Sequence, residues 1–308
     1  MTRSSRLAAI PLLLTVSNAI GASVQDSGGI DPGCGAPPMG SAGSPMPSLG
    51  AISDQNAEWD AESLLERLEI SGREMRSLES DLTMIRFDSL LEESETRLGR
   101  VLLTHEGDAT RIAVVFDEFI DGSGHGEMRL QHWVYADGWL DELDHHQKRY
   151  VRRQLVMPGE SVDPLRLGEG PIPLPIAQRK EDVLARFEVL EPPPPSPPLL
   201  DRLEDFVGIR LVPRPGTDLA SETAYIELFY QRESLAPLGM RVLDRNGDRD
   251  TILLRRPQVN VPLGEDRQGL LLLTPPDPAE WAWDVRPLKR DPTATSDSAA
   301  TSDASVEP

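Results

Sequence analysis

Trp133-Val134-Tyr135-Ala136-Asp137-Gly138-Trp139-Leu140-Asp141 decides the fold class. Apolar and polar side chains alternate on either side of an Asp-Gly pair, the strongest short-range signal for a two-residue β-hairpin. Moving outward, the same period of two recurs. Upstream it predicts strands at 81–87, 100–104, 111–116 and 128–135, with a turn at Glu106-Gly107-Asp108 and a Gly-rich loop at 121–126. Downstream it predicts strands at 139–144, 150–157, 187–190, 207–213, 224–230, 239–243, 251–256 and 270–274, with a second hairpin turn at Asn246-Gly247. No crossover helices separate these runs, so they read as one antiparallel meander forming a barrel or a curved sheet.

Three stretches break the alternation. Trp59, Leu64, Leu65, Leu68, Met75 and Leu78 recur near 3.6 and predict an amphipathic helix of about five turns, capped by Asn56 or Asp60 and packed across the sheet. Residues 158–178 interleave Leu165, Leu167, Ile172, Leu174 and Ile176 with four prolines, a spacing that neither a regular helix nor a central strand tolerates. They predict an apolar flap of extended and short helical turns, followed by a short helix over 180–187. Pro192-Pro193-Pro194-Pro195-Ser196-Pro197-Pro198 favours polyproline II and reads as a stiff surface spacer.

The ends differ from the middle. Arg3 and Arg6, the apolar run 7–14 and small residues at Ala19, Gly21 and Ala22 have the order of a secretion signal over 1–22, too short in its apolar part to span a bilayer. Residues 23–56 and 291–308 are rich in Gly, Ser, Pro, Ala and Thr without hydrophobic period, and read as a disordered leader and tail. That leaves 57–290 as one domain. The chain of 308 residues carries a net charge of −20, and loss of Arg3 and Arg6 with the signal takes it to −22. Such a surface repels nucleic acid, so none is expected as a partner. Cys34 is the single cysteine, so no intramolecular disulfide forms. Its context, Ile30-Asp31-Pro32-Gly33-Cys34, lacks the residues expected before a lipid-modified cysteine.

No catalytic or metal motif assembles. Gly122-Ser123-Gly124-His125-Gly126 lacks the Gly-x-Ser-x-Gly spacing of a nucleophile elbow. His125, His132, His145 and His146 have no zinc-type frame, and Asp244-x-Asn246-Gly247-Asp248 lacks the glutamate of a calcium loop. The sequence therefore points to no enzyme, no cofactor and no metal. A polar cleft with paired carboxylates on the sheet would reverse that.

The order of motifs resembles a known family. Paired strands lead to the 133–141 hairpin, a basic strand at 148–153 and the Pro- and Leu-rich flap. Val207-Gly208-Ile209-Arg210-Leu211-Val212-Pro213, Leu243-Asp244-Arg245-Asn246-Gly247-Asp248 and Leu273-Thr274-Pro275-Pro276 come after them. Over roughly 57–287 this is similar to the outer-membrane lipoprotein carriers, the LolA-type periplasmic chaperones. The resemblance implies a mainly β fold, an incomplete antiparallel half-barrel around an apolar cavity, covered by the N-terminal helix and a lid of short helical turns. It implies an exported, monomeric periplasmic protein that shields lipoprotein acyl chains or a similar lipid without stable membrane insertion. It further implies cargo taken from an inner-membrane ABC transporter and given to an outer-membrane acceptor. Each buried methylene is worth about 0.8 kcal/mol, so holding one acyl chain needs a large dry surface. Trp133, Tyr135, Trp139, Leu165, Ile172, Leu174, Ile176, Phe187, Phe229 and Met240 are the candidate lipid-binding residues, and Arg111 the candidate lid contact; the family's lid-latching basic residue falls nearest His105. A lipid- or lipoprotein-sensing domain of the same fold is the alternative that the added loops and tails allow.

Overall fold

The computed structural model describes residues 60–107, 109–157, 165, 167, 174, 176, 178–192 and 194–288. The expected secretion signal, leader and tail, with Cys34, lie outside them. Among the described residues twelve strands form one sheet. The first six are β1 (Ser77–Asp88), β2 (Glu93–Glu106), β3 (Ala109–Ile120), β4 (Gly126–Ala136), β5 (Trp139–Asp144) and β6 (Arg149–Gln154). The rest are β7 (Phe187–Leu190), β8 (Phe206–Pro213), β9 (Thr223–Gln231), β10 (Pro237–Asp244), β11 (Arg249–Val259) and β12 (Ala282–Arg286). Their order is β12-β6-β5-β4-β3-β2-β1-β11-β10-β9-β8-β7, with every pairing antiparallel except that of β12 with β6. Two meanders, β1–β6 and β7–β11, therefore meet along a single seam between β1 and β11. The central hairpin forms as its sequence demands: Asp137 and Gly138 both take positive φ, 51° and 78°.

The sheet curls. Neighbouring strands lie about 4.8 Å apart, so twelve laid flat would span roughly 50 Å. Yet one apolar cluster joins side chains of β1–β5 and β7–β11 to a single helix, α1 (Ala61–Glu74), which reaches only about 21 Å. A curled sheet brings these together, and because β12 and β7 remain unpaired with each other the result is an open half-barrel. Asp60 caps α1, its Oδ1 accepting from the Glu62 and Ser63 amides at 3.0 and 2.9 Å. The helix stops at Glu74, shorter than its period predicts, because Leu78 already pairs with Leu103 and Val259 in the sheet.

Two other expectations are corrected. Residues 270–274 are no strand: α4 (Glu265–Leu270) and the turn after it lie on the outer face, where Leu263 and Leu271 pack against Leu102, Ala113 and Val134. The sheet's last strand is β12 instead. The proline run is a strap, not a spacer. It leads into a 3-10 turn, Leu200–Arg202, whose Leu200 is buried against Phe229 and Leu253. Arg241 on β10 fastens this strap, donating to Ser196 Oγ at 2.6 Å and to the Ser196 and Pro197 carbonyls at 2.5 and 3.2 Å. Glu227 on β9 faces it at 3.8 Å and also holds Arg210 of β8 at 2.5 Å.

Strand β3 carries a bulge. Gly99 pairs with Phe116 and Leu98 with Glu118, leaving Asp117 as the extra residue. It turns Phe119, not Glu118, to the inner face. A Cβ on Gly99 would stand 2.0 Å from the Val115 carbonyl oxygen, so the bulge needs glycine opposite it.

Two outcomes test these straps. Arg241→Ala leaves Glu227, 2% exposed, with Arg210 as its remaining partner; denaturant unfolding should show a loss of about 3 kcal/mol. His132 Nε2–H donates to the Leu270 carbonyl at 2.9 Å, and burial holds the imidazole below its usual 6.5. The unfolded chain therefore takes up that proton first. The contribution to stability is complete above about pH 6.5 and drains below it. Amides of 263–272 should exchange faster at pH 5.5 than at 7.5 after correction for intrinsic rates, and His132→Gln should lessen the difference.

Candidate functional site: an apolar inner face under a clipped lid

Strand alternation sorts the sheet into two faces. The inner one carries Val101 and Leu103 from β2, Ile112, Val114 and Phe116 from β3, and Trp133 and Tyr135 from β4. Ile209 and Leu211 of β8, Ile226 and Leu228 of β9, Met240 of β10 and Ile252 and Leu254 of β11 continue it across the seam. Phe116 and Trp133 meet edge to face at 5.2 Å.

What covers this face comes from outside the sheet. Leu64, Leu65 and Leu68 of α1, Val183 of α2 (Lys180–Arg186), and Leu165, Leu167, Leu174 and Ile176 of the flap all bury their side chains on it. One side chain ties the described flap residues together. Gln178, buried, donates from Nε2 to the Leu165 carbonyl at 2.6 Å and the Ile176 carbonyl at 2.9 Å, while its Oε1 accepts from Leu167 N at 3.2 Å. Arg186 Nη1 donates to the Leu167 carbonyl at 2.9 Å. Between the helices, Lys180 N donates to Glu69 Oε2 at 2.9 Å, and Lys180 Nζ lies 3.6 Å from Glu62 and 3.9 Å from Glu66. Among the described residues, Gln178, Arg186 and a few partly exposed charges therefore hold the lid closed.

Closed, it fills the interior. The cleft between α1, the flap and β8–β10, walled by Leu65, Leu68, Met75, Ile209, Leu228 and Tyr230, holds only about 20 Å³. That is room for roughly one water, whereas ligand pockets measure about 300–1,000 Å³. Burial pushes the Tyr230 phenol well above its usual value.

Toward β5, β6 and β12 the inner face turns polar. Arg153 meets Glu142 at 2.7 Å and Arg129 meets Asp144 at 3.0 Å, with Gln131 donating to Asp144 at 2.9 Å. Burial raises the Glu142 carboxyl above its ordinary range despite Arg153 beside it. Among the described residues no three of His, Cys, Asp or Glu converge as a metal site, and no helix is long and apolar enough to cross a membrane.

Of the residues singled out by sequence, Trp133, Tyr135, Leu165, Leu174, Ile176, Phe187 and Met240 belong to the inner cluster. Three stand on the opposite face. Phe229 packs under the proline strap, edge to face with Phe206 at 5.8 Å. Trp139 pairs with Ala136 and Gln154 beside Arg152, whose guanidinium lies 4.8 Å from its ring, because Leu140 takes the inner position. Arg111, between Thr110 and Ile112, shares the outer side with Ala113, so it is no lid contact. Ile172 lies outside the described residues. His105 sits at a hairpin end, Nδ1 2.8 Å from Thr110 Oγ1. Gln178, the clip, escaped sequence reading; its one signal is a lone amide closing an apolar, proline-broken run.

The class these features define is an open, lid-covered half-barrel with an apolar inner face. No family model matches the chain, and no curated protein matches it either. Solved structures do. MucB in complex with MucA(peri) is 16% identical, with a TM-score of 0.36, over 70% of this chain and 60% of that one, so the chain spans about three fifths of that MucB. The structural neighbours also include a lipoprotein-sorting protein domain and a LolA superfamily protein. A putative outer membrane lipoprotein-sorting protein domain from Vibrio parahaemolyticus is 13% identical (TM-score 0.30; 69% of this chain, 98% of that one). LolA superfamily protein NE2245 from Nitrosomonas europaea is 11% identical (TM-score 0.26; 67% and 96%).

Gln178→Leu removes hydrogen bonds to three buried backbone groups, at about 1–3 kcal/mol for each that is left unmet. Proteolysis or hydrogen exchange should show residues 165–178 opening at least about tenfold more often, with the β1–β3 amides unchanged.

Proposed function

We propose that this protein is a periplasmic carrier that shelters an apolar chain, the acyl chain of a lipoprotein or a similar lipid, on the inner face of its sheet. The observation that supports it is the inner face itself: ten strands contribute apolar side chains to one surface, and among the described residues two helices, α1 and α2, and the proline-broken flap cover it. A structural core needs no such arrangement, since strand can pack on strand. A binding surface does, because the cover must leave without opening the sheet. Trp133, Tyr135, Phe187 and Met240 form the bed, and Leu165, Leu174 and Ile176 are the plugs that an acyl chain replaces. The exchange is nearly balanced, apolar for apolar, which allows both uptake and release near zero cost. The cover opens by loss of the Gln178 clip and the Lys180 contacts to α1. Export by the N-terminal segment, loading from an inner-membrane transporter and delivery to an outer-membrane acceptor complete the role.

Native mass spectrometry on the mature protein incubated with a diacylated peptide tests this. A one-to-one adduct should form, and Gln178→Leu should take up peptide about tenfold faster. Leu174→Glu, which removes a plug and charges the bed, should lower the bound fraction by the same order. A bare mass for all three proteins, with native melting curves, would remove the carrier reading.

A further inference from the structure

At the end of the inner face nearest the β1–β2 and β3–β4 turns, the apolar bed gives way to a corner of cations. Arg97 on β2 and Arg129 on β4 flank β3, and both lay their guanidinium groups over the ring of Phe119, at 5.9 and 5.3 Å. Arg97 is 6% exposed. Burial pulls its guanidinium below the ordinary value; Glu95 opposes this, and the neighbouring Arg129 adds to it. Asp144 holds Arg129 at 3.0 Å, but Glu95 reaches Arg97 only at 3.4 Å and is itself half exposed. The Nε–H groups of both arginines are buried and find no acceptor among the described residues. Unmet buried donors on two adjacent cations are costly, and an acceptor arriving from outside removes the cost. The corner adjoins the bed: Arg97 pairs across from Met84, and Phe116, the next inner side chain of β3, rests on Trp133. Arg86, partly exposed and 4.0 Å from Asp250, is a third cation beside Arg97.

We propose that this corner receives the oxyanion of a phosphate-ester head group on the ligand whose apolar tail lies along the inner face. The proposal rests on the lipid-holding reading of that face. A guanidinium fork matches phosphate oxygens in plane, and one oxyanion between Arg97 and Arg129 relieves their repulsion while accepting from both. Glu95, the loosest partner, is the group it displaces.

Calorimetric titration of the full chain with dodecyl phosphate, dodecyl maltoside and inorganic phosphate tests it. Dodecyl phosphate should bind at least about tenfold tighter than dodecyl maltoside, the equivalent of one charge-assisted hydrogen bond. Arg97→Gln/Arg129→Gln should abolish that preference and leave maltoside affinity unchanged. Should the double variant fail to fold, Arg97→Lys, which keeps charge but loses the fork, should reduce the preference alone. Equal binding of the two amphiphiles by the native protein overturns the corner and spares the lipid reading. Inorganic phosphate binding as tightly as dodecyl phosphate, and depending on Arg97, overturns the head-group assignment in favour of a free-phosphate site. No binding of any probe overturns both.

Discussion

A β-strand offers its side chains to two faces by turns, and in this sheet both faces are apolar along their middle. That constraint shapes everything else, because each face must be dried by chain that is not itself sheet. The outer side is covered by the proline strap and the α4 segment, the inner side by α1, α2 and the flap. The fastenings differ in kind. Outside, the buried Arg241–Glu227–Arg210 chain is expensive to separate, since a lone charge would be left in a dry place. Inside, the described flap residues are held by hydrogen bonds from Gln178 and Arg186, and α2 is joined to α1 by Lys180 charges that water already reaches. The outer fastening is a buried ion pair and the inner one is mostly hydrogen bonds to backbone carbonyls, so in the carrier reading movement falls to the inner cover.

Most of the fold was legible because it is local. Asp137-Gly138 and Asn246-Gly247 mark their turns by chemistry alone, and alternation then places strands on either side. Faces were not legible, since parity depends on register. Phe229 and Trp139 look no different in sequence from Trp133, and only pairing with Gly239 and Ala136 shows that they point the other way. The Asp117 bulge hides the same way: it exchanges Glu118 for Phe119 on the inner side and so creates the platform beneath Arg97 and Arg129. The β12 strand was invisible for a further reason. Its partner β6 lies far back in the chain and runs parallel to it, so no turn announces the pair.

Charge is distributed with purpose in a chain of −20. Arginines are scarce against carboxylates, yet several sit inside: Arg97, Arg129 and Arg153 on the inner face, Arg241 on the outer. The exterior is left acidic, which keeps the protein soluble and repels anionic surfaces at a distance. The interior is where attraction for an anion survives.

The seam between β1 and β11 has a consequence for the order in which the molecule is made. Leu78 is among the earliest strand residues to be synthesised, and it pairs with Val259, among the last. Until then β1 is the edge of the first meander, with the backbone groups that β11 will meet still unpaired. A high-contact-order closure of this sort is slow, and an unpaired edge is a template for its neighbours. Until the second meander arrives, that edge is open to pairing with another chain.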